Sequence, residues 1–112
     1  MYNKLILFRN ELKNKTVPKY KIIGIVSELI LSRQVFPRNL DIEEFLKEIF
    51  SLEFKTYLFK SRTLVVARVA REIIAMEKDD TYKGKLYKFV QQKADFLKDA
   101  EKKEKNQFDG WI

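Results

Sequence analysis

The sequence predicts an all-α protein, a single-domain bundle of four to five helices. Three observations carry that expectation. Only three glycines and two prolines punctuate 112 residues, too little turn material for the many short strands of an all-β fold. Apolar residues recur at helical spacing along most of the chain, and no useful stretch alternates with period two. The intervals between periodic segments are short, which favours antiparallel neighbouring helices. A chain of this length buries about two-thirds of its unfolded surface, enough for one core. The bundle is assigned to residues 1–105 and a C-terminal tail to 106–112.

The first helix is expected from Tyr2 to about Lys13, with Leu5, Phe8 and Leu12 on one face. Pro18 suits the first turn of a second helix, where a missing N–H costs nothing. That helix, to about Val35, is apolar around most of its circumference and therefore reads as buried. A third helix opens with Asp41 as N-cap and Glu44 three residues on, a capping-box pattern flanked by Leu40 and Phe45 at staple positions. It extends to Phe50. Ser51 then caps a long fourth helix to about Lys78, with Phe54, Leu58, Val65 and Val69 as its buried stripe. Asp79-Asp80-Thr81 introduces the last helix, Tyr82 to about Lys105, with Leu86, Phe89, Val90 and Leu97 inward. Phe108, Trp111 and Ile112 are the apolar residues of the tail.

Composition excludes several chemistries. Cysteine and histidine are both absent, so disulfides, Cys/His metal sites, cysteine nucleophiles and His-dependent triads cannot form. Gly24, Gly84 and Gly110 stand too far apart for a phosphate-binding glycine loop. The segment Leu5–Phe8 is too short for a signal-peptide core. The apolar run Ile22–Val35 is interrupted by Glu28 and Arg33 and falls short of a membrane span. These features predict a soluble, cytoplasmic protein with no membrane contact. Asp79-Asp80 reads as a helix-boundary signal rather than a magnesium site, and Glu43-Glu44 as first-turn acids favoured by the helix dipole. No constellation amounts to an active site, so the expectation is a non-enzyme with no cofactor and no metal.

The net charge of +7 is unevenly spread. Residues 1–21 carry +5, residues 41–54 carry −4, and residues 55–71 hold five cations and no acid. On one continuous helix Lys60, Arg71 and Lys78 would share a side, with Arg68 nearby and Arg62 closer to the apolar stripe. Arginine suits planar, bidentate contact with phosphate. Lys60, Arg62, Arg68, Arg71 and Lys78 are therefore candidates for nucleic-acid backbone contact, as are Lys13, Lys15, Lys19 and Lys21 at the first helix–helix joint. The competing structural reading makes Arg62 and Arg68 ion-pair partners, Arg68 with Glu72 at i,i+4. Lys93 to Lys105 alternate with acids and read as a solvated face.

Most of the aromatic residues sit at core spacings. Tyr57, Tyr82 and Tyr87 are the candidates for base stacking, because a tyrosine can present its ring while the hydroxyl stays in water. A helix-turn-helix layout spans Ile22–Phe50, but its would-be recognition helix carries four acids and one lysine. Such a face is repelled by a phosphate-lined groove.

The segment Tyr57-Leu58-Phe59-Lys60-Ser61-Arg62-Thr63 leads into Ala67-Arg68-Val69-Ala70-Arg71. Together with the length, the helical bundle and the basic surface, it resembles the arginine-bearing helix of the small subunit of type I CRISPR effector complexes (Cascade), in its short archaeal form. The resemblance implies a structural, non-catalytic antiviral-defence role on crRNA and on target and non-target DNA, alongside other effector-complex subunits and copies of itself. The acidic segment, through Glu43, Glu44 and Glu48, could face a basic segment of the next copy, and a heterologous contact of that kind builds arcs or filaments. Two other classes fit the residues: a helical protein–protein adaptor or phage-encoded inhibitor, and a small DNA-binding regulator.

Overall fold

In a computed structural model of the chain, residues 1–76 and 81–109 are described, with 101–109 as backbone only. Among the described residues five α-helices and one 3-10 turn follow in order: α1 (Tyr2–Leu12), α2 (Lys19–Leu31), α3 (Asn39–Phe50), the 3-10 turn Thr56–Lys60, α4 (Arg62–Ala75) and α5 (Thr81–Asp109). No strand occurs among the described residues. The protein is an all-α bundle. Helix α1 packs along α5, α2 packs on α4, and α3 bridges the 3-10 turn and α5. The Cα envelope measures 56 × 36 × 18 Å. An 18 Å depth accommodates two layers of helices at ordinary interaxial distances, and α5, with 29 residues at 1.5 Å per residue, is about 43 Å long.

One apolar cluster runs through the molecule. Leu5, Leu29, Ile30, Ile42, Leu46, Val65, Ile73, Leu86 and Val90 are fully enclosed in it. At its centre Phe45 lies 5.1 Å from Phe36 and 4.5 Å from Phe89, ring centre to ring centre. Such tilted aromatic pairs contribute about 0.5–1.5 kcal/mol beyond the area they bury. Polar ties fix the layers laterally. Lys4 pairs with Glu28 at 3.0 Å between α1 and α2, and Arg9 donates to the Gln91 side chain at 3.2 Å between α1 and α5.

Several element boundaries differ from those predicted. Helix α2 stops at Leu31 rather than Val35. The Ser32 hydroxyl accepts the Val35 N–H at 3.3 Å and its carbonyl accepts the Phe36 N–H at 3.0 Å. Ser32 thereby offers the backbone a turn in place of another helical turn, and Val35 and Phe36 reach the core from a loop. Helix α3 starts at Asn39, with Arg38 as N-cap and no side-chain cap. Asp41 is a first-turn residue paired with Arg38 at 3.1 Å, so the Asp41/Glu44 capping box does not form. Leu40 is 60% exposed and makes no staple.

The predicted helix from Ser51 to Lys78 is two elements. Ser51 ends α3 in the left-handed region at φ 57°, with its N–H on the Lys47 carbonyl at 3.1 Å. That is the αL helix stop, filled here by serine instead of glycine. The chain then passes through the 3-10 turn, and Ser61, not Ser51, caps α4 by accepting the Leu64 N–H at 3.4 Å. Of the predicted stripe, Leu58, Val65 and Val69 are buried, while Phe54 packs at the core's margin against Phe59. Helix α5 continues to Asp109, past the predicted helix end at Lys105. The Asp79-Asp80 pair, Lys78, and Trp111 lie outside the described residues.

Candidate nucleic-acid interface

The nine predicted backbone-contact cations divide by what the fold does with them. Arg62 is the first residue of α4, and its side chain turns inward to 8% exposure. Its Nε donates to Asn39 Oδ1 at 2.8 Å, and Nη1 to the carbonyls of Ile30 and Ser32 at 2.9 and 3.1 Å. Nη2 donates to the carbonyl of Phe36. Helices α2 and α4 run antiparallel, so the C-terminal carbonyls of α2 meet the start of α4, and a cation is favoured at that negative helix end. Burial holds the guanidinium pKa below its ordinary value; the charge of Arg33 adds to this and that of Asp41 opposes it. Arg62 is thus a fastener between α2, α3 and α4. This corrects its assignment to phosphate contact: its donors are spent inside the protein.

Lys19 is also committed. Its ammonium donates to the carbonyls of Ile74, at 3.1 Å, and Met76, closing the C-terminus of α4. Lys21 lies 3.9 Å from Glu11 in a loose surface pair. Lys13 and Lys15, in the α1–α2 joint, are exposed and form no ion pair among the described residues. Their loop is held by Lys83 of α5, which donates to the carbonyls of Asn14 and, at 3.3 Å, Lys15.

Arg68 and Arg71 remain on the outer face of α4, both exposed, one helical turn apart. The i,i+4 pair of Arg68 with Glu72 does not form, and neither arginine meets a carboxylate among the described residues. Leu64, 53% exposed, precedes them on the same face. Lys60 is exposed too, but it closes the 3-10 turn and does not share a helix with Arg71. Its predicted alignment with that residue therefore lapses. Lys78 is outside the described residues.

The tyrosines separate as well. Tyr57 is 61% exposed on the 3-10 turn. Tyr82 is buried, its ring 5.1 Å from that of Phe50, so it offers no face to a base. Its stacking assignment is withdrawn. Tyr87 is half-buried, packed on the core from α5. On α3, Glu44 and Glu48 are exposed one turn apart and Glu43 is half-buried, none of them ion-paired among the described residues. No three acidic side chains converge as a metal site among the described residues. No helix there is long and apolar enough to cross a membrane.

Of the predicted cations, those exposed and without an ion pair among the described residues are Arg68 and Arg71 on α4, Lys13 and Lys15 in the α1–α2 joint, and Lys60 at the end of the 3-10 turn. Sequence reasoning missed Asn39, whose side chain ties Arg62 to the 3-10 turn by also donating to the Phe59 carbonyl at 2.7 Å. Nothing local marks it, since its partners are distant in the chain. Compared with known proteins, the chain matches no family model, no curated protein and no solved structure.

Proposed function

We propose that this protein is a non-catalytic binder of nucleic-acid backbone that holds strands without reading their sequence. The observation that carries the reading is the pair Arg68 and Arg71, exposed on one face of α4 and without a carboxylate partner among the described residues. An unpaired arginine keeps its planar fork available for a phosphate, and the net charge of +7 draws in a polyanion. The resemblance noted above gives the role a setting: the small subunit of a CRISPR RNA-guided surveillance complex, stabilising crRNA-paired target and displaced DNA strands beside other subunits. The acidic face of α3 supplies a charge-complementary surface for a basic segment of a second copy, apart from the Arg68 and Arg71 pair.

A salt titration of affinity for a random-sequence duplex tests the reading. With about four or five phosphates neutralised, log K should fall against log salt with a slope of about −4. A flat profile, or strong preference for one sequence, contradicts it.

A further inference from the structure

A groove of about 490 Å³ opens where the end of α1 meets the first turns of α5, lined by Leu12, Lys13, Lys83, Gly84, Tyr87 and Lys88. We infer that this groove seats one unstacked base of a single-stranded nucleic acid against Tyr87, with the flanking phosphates on Lys13 and Lys88. The inference rests on the nucleic-acid reading above and adds to it a preference for single strands and a second site away from α4.

Charge and shape both point to that ligand. Three of the six lining residues are lysines and none is acidic. Lys83 donates to the Asn14 and Lys15 carbonyls and so ties the α1–α2 joint to α5, next to Lys13 at the groove. On α5, Gly84 neighbours Tyr87 at i+3 and Lys88 at i+4, which places an open spot, an aromatic ring and a cation side by side. Tyr87 is half-buried, packs on the core and also lines the groove. Such a half-buried ring is a rigid stacking platform.

Neither the backbone nor the packing demands glycine at position 84. No glycine among the described residues has a positive φ, and a Cβ at Gly84 would meet nothing within 4 Å. Glycine in a helix costs about 1 kcal/mol relative to alanine. What its missing side chain provides here is room for a flat group to approach the helix beside Tyr87. A duplex cannot use that room, because its bases are paired and stacked.

The test compares fluorescein-labelled oligo-dT and oligo-U with a duplex of equal length, read by anisotropy for the wild type, Gly84→Leu, Tyr87→Phe and Tyr87→Leu. Gly84→Leu fills the groove with a better helix former, so its melting temperature should equal or exceed that of the wild type. Its affinity for both single strands should drop roughly tenfold, the scale of one base stack, with duplex affinity within about twofold of wild type. Tyr87→Phe should retain single-strand affinity and Tyr87→Leu should lose it, a contrast that reads the site even if filling the groove disturbs folding. Unchanged single-strand affinity in folded Gly84→Leu and Tyr87→Leu overturns the groove and leaves the α4 reading standing. Equal losses on duplex and single strand overturn base stacking. A wild type that binds neither polymer overturns both readings.

Discussion

Arg62 shows how one residue can be placed rightly and used differently from expectation. Sequence periodicity sets its stem against apolar surface, and it lies there. Its charge suggests a head that reaches a phosphate; instead it meets three carbonyls and the Asn39 amide. The acceptors lie on residues 30, 32, 36 and 39, so no spacing rule could join them to position 62 beforehand. Hydrogen bonds to a charged group contribute about 1.5–3 kcal/mol each, and truncation leaves the acceptors unpaired. Arg62→Ala should therefore cost about 3 kcal/mol or more, read as a shifted urea midpoint at constant m. Arg62→Lys should recover little, because an ammonium cannot fork to acceptors in several directions. A loss below about 0.5 kcal/mol, the range of ordinary surface substitutions, would show that the hub does not hold the fold.

At the scale of elements, periodicity identifies the helices and most of their inward residues, including Leu5, Leu12, Leu58, Val65, Val69, Leu86 and Val90. It fails at the ends, where single polar side chains decide. Ser32, Ser51 and Ser61 are chemically alike, yet one folds a turn, one stops a helix from the left-handed region, and one starts a helix. Which role a serine takes depends on tertiary placement, here the need to bring Phe36 and Phe59 into the core. The same limit hides which tyrosine stays accessible: Tyr82 and Tyr87 look alike by sequence, and only packing buries the first. Ser61→Ala should cost about 0.5–1 kcal/mol, the lower part of the N-cap range, because its 3.4 Å bond is long. Ser51→Ala should leave α4 untouched. Helix-resolved hydrogen exchange separates the two, and equal effects on α4 would restore the continuous helix from Ser51.

For the whole molecule the distribution of charge matters more than its total. Acid-rich α3 exposes Glu44 and Glu48, while the exposed Lys55 and Lys60 at the 3-10 turn offer the opposite sign apart from Arg68 and Arg71. A contact between unlike faces of successive copies does not close on itself and propagates along a scaffold. Net charge of +7 opposes such clustering in free solution, so the proposal is a monomer alone and an array on a nucleoprotein. Reversing Glu43, Glu44 and Glu48 to lysine should abolish the array while the monomer stays folded. Native mass spectrometry that finds the array intact in the triple variant counts against this mode of assembly.

Arg68 and Arg71 of α4, which meet no carboxylate among the described residues, are proposed to hold phosphate, and the sharpest check is duplex affinity of the Arg68→Ala/Arg71→Ala double variant across a salt series. Alanine suits a helix, and both side chains stand outside the core, so the melting temperature should stay near that of the wild type. Affinity should fall at least tenfold, and the log–log salt slope should become shallower by about two units, one for each phosphate no longer neutralised. A double variant that melts far below the wild type yet binds duplex with unchanged affinity and slope would contradict it, and would make Arg68 and Arg71 structural residues.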